Sequence, residues 1–310
     1  MMQTGVSLID AWFPARYETR VSLRRAILAG HAGRPLPVVI ALACYFDESF
    51  DEQVHVVAGY MGEVTTWDKA FAPAWSEVID SAPHRITEFK ASECRTGNKE
   101  FSWPWTERER MVLTSDLVSV ILRTGNIVGM GVAFCFPGLG VTARDRRDME
   151  RNGYAIAVSG IFNQAYSFLP NAFGKHNIQD IQMVFDERKG FYGRLMSGYE
   201  IAKRYIDVEV ARILSPPIPT NTPLPAIQAA DLLANETFRE IRARLTGDGV
   251  SHVLERLVCS QKVGHFAKCA SWGNLEEYNS QVVCGRRPEI KLGLLYKPGV
   301  VRELGHWGVE

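Results

Sequence analysis

The sequence predicts an α/β protein in which helices cover a mixed β-sheet. Three observations lead there. Short apolar runs rich in β-branched residues alternate with segments whose apolar residues recur at helical spacing. The run Val38–Phe46 is apolar throughout, as in a central strand buried on both faces. With 310 residues, 46% of them hydrophobic and 23% charged, the chain is long and apolar enough to bury a sizeable core.

Residues 1–36 place Gly5, Gly30, Gly33 and Pro35 around a helix-like stretch from Tyr17 to Leu28, and read as an appendage. The main domain, 37–247, opens with the Val38–Phe46 strand, which ends in Asp47-Glu48-Ser49. A second strand, Gln53–Tyr60, follows a short polar turn, the spacing of an antiparallel hairpin. A helix is expected from Thr66 to about Asp80, with Pro73 kinking or breaking it, and then a short strand from Ile86 to Lys90. Thr106-Glu107-Arg108-Glu109 is a capping box that opens a long amphipathic helix, and Gly125 stops it. Next come a strand (Ile127–Phe136), a helix (Tyr154–Leu169), a strand (Ile178–Phe185) running into Asp186-Glu187, a helix (Tyr192–Tyr205) and a short strand (Val208–Leu214). The proline-rich stretch Pro216–Pro225 predicts an extended loop, because proline donates no backbone hydrogen bond. It leads into a helix from about Ala226 to Leu245, stopped by Gly247. Residues 248–310 are expected to form a mostly helical, then irregular, extension.

Charge and cysteine content narrow the function classes. Lysine plus arginine and aspartate plus glutamate both total 35, so a wholesale basic coat for nucleic acid is excluded and any basic patch is local. Residues 41–110 hold 13 acids against 7 bases, and residues 251–302 hold 8 bases against 4 acids. That asymmetry suits a metal-binding centre beside an anion-binding surface, or ordinary solvated scatter. Six cysteines without a CxxC pair read as free thiols of a reducing cytosol. No apolar run approaches the roughly 20 residues of a membrane span. The expectation is a cytoplasmic protein with no membrane partner.

The informative feature is acidic residues that interrupt apolar elements. Asp47 closes one apolar strand and Asp186 closes another, Ile181-Gln182-Met183-Val184-Phe185. Asp231 sits in mid-helix, four residues after Ile227 and at the edge of the Ile227, Ala230, Ala234, Phe238, Ile241 stripe, with Gln228 and Asn235 beside it. Asp47 and Asp186 read either as strand-end turn formers or as site residues. Asp231 reads either as a buried acid satisfied by an arginine or a backbone donor, or as a ligand. Two strand ends and one helix can converge on a point, and carboxylates so gathered repel unless a divalent cation holds them. An all-carboxylate set favours magnesium or manganese. Lys90 could neutralise a phosphate or a leaving group, or pair with Glu88 or Glu93 at the surface. Arg144-Asp145-Arg146-Arg147-Asp148 reads as a solvated run or a phosphate contact. Trp103-Pro104-Trp105 packs over a helix start or stacks bases. His84 and His265 lack paired ligand spacing, and Gly129-Met130-Gly131, inside a strand, is not a phosphate loop.

Four ordered blocks resemble one family. They are Tyr45-Phe46-Asp47-Glu48-Ser49, Phe89-Lys90-Ala91-Ser92-Glu93, Val184-Phe185-Asp186-Glu187-Arg188 and Ile227-Gln228-Ala229-Ala230-Asp231-Leu232-Leu233-Ala234, spanning residues 45 to 234. Together they are similar to the domain of unknown function 3800 family. The resemblance implies a ribonuclease H-like fold, acidic residues around a divalent metal, a nuclease-type centre, and occurrence in bacteria and their mobile elements. It implies Asp47, Asp186 and Asp231 as metal ligands, with Glu48, Glu93 and Glu187 as candidates for a fourth ligand or a supporting role. Gln228 would orient Asp231 or touch substrate, and Arg188 would bind substrate. Where the family has glycine after the Asp-Glu-Ser triplet, this chain has Phe50, which bears on the first turn. The function so implied is hydrolysis of phosphodiester bonds in DNA or RNA with Mg2+ or Mn2+. The rival is a non-catalytic binding protein of a defence or mobile-element system that retains the acidic cluster. A third reading, another metal-dependent hydrolase acting on a nucleotide, would show a closed pocket instead of an open groove.

Overall fold

The computed structural model describes residues 40–51, 54–125, 127–135, most of 154–165, 178–187, 190–205, 213–246, 252–259, 264–271 and 293–294. The first two strands, β1 (Ile40–Phe50) and β2 (Val54–Glu63), form an antiparallel hairpin paired from Phe50↔His55 to Leu42↔Glu63. Its turn is closed by Asp51, whose backbone N–H donates to the Val54 carbonyl and whose carboxylate accepts from the Val54 N–H. β2 pairs antiparallel with β3 (Ile127–Cys135), and β1 pairs parallel with β4 (Ile178–Asp186). The full-length strands run in the order β4-β1-β2-β3-β6, where β6 is Gly264–Ser271 and lies parallel to β3. Two short strands extend the edges, β5 (Ile218–Thr220) beyond β4 and β7 (Gly293–Leu294) beyond β6.

Strand alternation divides β1 between two cores. Leu42, Cys44 and Phe46 face a layer made by the helical residues 154–165 and by α4 (Tyr192–Tyr205). Ala43 and Tyr45 face the other layer. That layer holds α1, which runs from Val64–Thr66 through the π-helical Trp67–Phe71 into Ala72–Asp80, and α2 (Ala91–Thr96). It also holds α3 (Glu107–Thr124), α5 (Pro225–Thr246) and α6 (His252–Cys259). The protein is thus a mixed sheet between two helical layers. Among the described residues no helix is long and apolar enough to cross a membrane, and Cys44 and Cys94 are free and buried.

Several expectations are corrected. β1 does not end before Asp47: it continues to Phe50, so Asp47 is paired opposite Ala58 and lies inside the strand. Phe50 is ordinary extended strand, stacked on His55, and no glycine is needed there. Gly59 is where space is tight, since a methyl group on it would overlap the Tyr45 carbonyl oxygen and Phe46 Cα. Pro73 does not break α1. Its missing N–H falls where the π-helical Trp67–Phe71 gives way to α-helix, an irregularity that accommodates proline inside a continuing helix. Residues 86–90 are not a strand. They are a loop held by packing and side chains: Phe89 is fully buried against Trp75 and Phe101, and Glu100 accepts from the Thr87 N–H and hydroxyl. The proline-rich segment is extended as expected, but Ile218–Thr220 pairs with Val184–Asp186 as β5, an edge position that tolerates Pro219. Residues 248–310 are not only an extension, because β6 and β7 join the sheet. Of Val208–Leu214 only the last two residues are described, and Leu214 makes a single bridge to Ile181.

The capping box at Thr106 forms as expected, with the Glu109 N–H donating to Thr106 Oγ1 and the Thr106 N–H to Glu109 Oε2. Gly125 ends α3 with φ +61°, the left-handed region that favours glycine. Trp105 is buried beside His84, whereas Trp103 is 91% exposed, so only one of the pair packs over the helix start. Residues 144–148 lie outside the described residues.

Candidate functional site

Register places the first two acids. Phe46 pairs with Phe185 across β1 and β4, so Asp47 and Asp186 follow at one level on strands about 5 Å apart. Alternation turns both side chains toward the face covered by α5, which packs on β1 and β2. Asp231 comes from the second turn of that helix, between the buried Ile227 and Ala234. Asp47 and Asp231 are 7% and 8% exposed, a level at which a carboxylate needs a partner.

The partners are specific. The Asp231 Oδ2 accepts from the Ala91 N–H at 2.6 Å, and its carboxyl lies beside that of Asp47. Asp47 Oδ1 accepts from the Glu48 N–H at 2.7 Å. Burial, then the charges of Asp231, Glu48 and Asp186, hold the Asp47 carboxyl well above the usual carboxylate range. Burial also raises Asp231 to about 6, with Asp186 adding and the Ala91 N–H, Lys90 and Asp47 subtracting. Both shifts run the same way, because burial and neighbouring negative charge disfavour the ionised form of each acid. Asp186, part-exposed, faces Lys90, with Nζ 3.7 Å from Oδ2. The charges of Asp186, Asp231 and Asp47 outweigh the burial of Lys90 and hold its ammonium above its ordinary value. The three aspartates thus lie near enough to feel one another's charge, and Lys90 forms its ion pair with Asp186 rather than with Glu88 or Glu93.

The other expected residues divide. Gln228 is buried and fully engaged: Oε1 accepts from Trp75 Nε1 (3.0 Å) and the Phe89 N–H (2.9 Å), and Nε2 donates to the Pro223 carbonyl (2.9 Å). It pins the 86–90 loop and with it the Ala91 N–H that holds Asp231. Glu93 is drawn off by Lys99 at 2.6 Å. Glu48 is part-buried next to Asp47. Glu187 is exposed, and its N–H donates to the Thr220 carbonyl. Arg188 lies outside the described residues. Sequence reasoning passed over Ala91, which acts through its backbone and so leaves no side-chain signal. It also passed over Gln182, a buried amide in the middle of an apolar strand, a signal of the same kind as the acids.

Among the described residues, no group of three or more His, Cys, Asp and Glu side chains stands close enough to hold a metal ion as arranged. The donor chemistry nevertheless fits a hard divalent cation. Two buried carboxyls are forced together and a third lies on the adjacent strand, all oxygen donors. Comparison of the chain with protein-family models, with curated proteins and with solved structures gives no match in any of the three.

Proposed function

We propose that this protein is a metal-dependent nuclease of ribonuclease H-like fold that hydrolyses phosphodiester bonds in DNA or RNA. One observation carries the reading: Asp47 and Asp231 are buried in contact, beside Asp186 and Lys90, on the face where a central strand meets a helix. A fold does not gather like charges at this cost without compensation, and among the described residues no arginine, the usual structural one, partners either buried acid. The hairpin-first sheet, with acids on adjacent strands β1 and β4 and on the helix after β5, supports the family resemblance of the four sequence blocks.

Asp47, Asp186 and Asp231 would hold Mg2+ or Mn2+, which activates water and offsets charge on the phosphate when bound. The chain's own residues set the stage. The Ala91 N–H fixes one Asp231 oxygen, and the Glu48 N–H fixes one of Asp47. Lys90, released from Asp186, supplies a positive charge for the phosphate or the leaving oxygen. The test is cleavage of labelled single- and double-stranded DNA and RNA with Mg2+ or Mn2+, with a chelator control. Cleavage that the chelator abolishes is expected. Chelator-resistant cleavage overturns the reading, and the absence of cleavage on every substrate shifts it to the binding-protein rival.

A further inference from the structure

A second feature lies on the same sheet face, one step below the acids. Between β1, β4, β5 and the first turns of α1 and α5 is a cavity of about 80 Å³. At roughly 10–15 Å³ per water-sized group it has room for about six such groups, the bulk of one small ring system. Its walls are largely apolar and aromatic: Tyr45, Trp67, Phe71 and Val184 line it. Gln182, itself 7% exposed, also lines it, and its Nε2 has no hydrogen-bond partner among the described residues. A buried amide donor left unmatched destabilises the fold and is relieved by an acceptor placed in the cavity. Trp67 is not a free donor, since its Nε1 is committed to the Ala43 carbonyl at 2.9 Å. Asp68 lines the cavity as well, which disfavours an anionic occupant.

Position ties this cavity to the acids. Tyr45 and Gln182 stand on the strands that carry Asp47 and Asp186, and Tyr45 precedes Asp47 by two residues, about 7 Å along a strand. Thr220, another lining residue, is the β5 partner of Asp186. A phosphate at the aspartates would therefore stand within about one nucleotide's length of the cavity wall.

We propose that the cavity is a nucleobase subsite, in which a planar ring lies among Tyr45, Trp67, Phe71 and Val184 and a ring carbonyl or nitrogen accepts from Gln182 Nε2. The placement of the phosphate rests on the nuclease reading; the fit of the base to the cavity does not. The site then selects a nucleotide by a neutral base and a charged phosphate held at separate points.

The experiment is calorimetric titration of the full chain, without metal, with uridine, cytidine, adenosine and guanosine, against ribose as the control. At least one nucleoside should bind while ribose does not. Gln182→Leu, which replaces the unmatched amide by an apolar group of similar size, should melt no lower than wild type and bind that nucleoside at least tenfold more weakly. Ala226→Met, which puts bulk into the lining, should weaken it as well and serves if Gln182→Leu fails to fold. No preference for nucleosides over ribose, or wild-type binding by the folded variants, overturns the subsite. Nucleoside binding without metal-dependent cleavage would uphold the subsite and remove the nuclease reading. Cleavage that is unchanged in Gln182→Leu, without nucleoside binding, would do the reverse.

Discussion

Asp231 is pulled two ways, pressed toward its protonated form by burial and by Asp186 and held as an acceptor by the Ala91 N–H. Replacing it by asparagine keeps the acceptor and removes one charge. Asp231→Asn should leave the metal-free protein at least as stable in thermal melts, yet lower metal-dependent cleavage by two orders of magnitude or more. The pH dependence has a definite sign. Asp231 binds its proton more tightly in the folded state, about 6 against an ordinary 3.8, so its contribution to stability is complete below about pH 4 and is lost as pH rises through 6. Without metal, wild type should therefore lose on the order of 3 kcal/mol across that window, and Asp231→Asn distinctly less, in urea titrations at successive pH values. Asp186→Asn should change stability by no more than about 1 kcal/mol, because the Lys90–Asp186 pair is nearly a third exposed on each side and screened.

At the scale of elements, the site depends on a loop without regular structure. Gln228 receives Trp75 and the Phe89 N–H and reaches Pro223, tying α1, the 86–90 loop and the approach to α5 to one side chain. Gln228→Leu strands two buried donors and should cost about 2–4 kcal/mol, read as a lower urea midpoint at unchanged slope. Gly59→Ala forces β2 off β1 beneath Asp47 and should destabilise by more than about 3 kcal/mol. The same contrast explains what the residues alone could tell. Elements with a strong period or cap were legible: the β1–β2 hairpin, α3 with its Thr106 box, and α5. The acids were legible because each breaks an apolar pattern. The 86–90 loop was not, since the short run Ile86-Thr87-Glu88-Phe89-Lys90 reads like a strand by residue type while the real partners of Phe89 are rings and a glutamine far along the chain. Nor was the pairing of β6, whose composition gives no hint that β3 leaves an edge open beside it.

For the whole molecule, cation binding and folding should be linked. Mn2+ or Mg2+ at a hundred times its dissociation constant should stabilise wild type by about 2.7 kcal/mol, and chelation should reverse this. The gain should be much smaller in Asp231→Asn and should grow as pH rises from 5 to 7, opposite to the metal-free trend, because ligands must shed protons first. The bonds that hold the site also impose an order in time. The Ala91–Asp231 and Trp75–Gln228 bonds close loops of 140 and 153 residues. Closures of that length are late events, following the local hairpin and helices. A chain still being synthesised carries Asp47 on a finished hairpin long before residue 231 exists to meet it. The acids therefore come together only once the sheet and α5 are in place, and a prematurely terminated fragment has no centre with which to act.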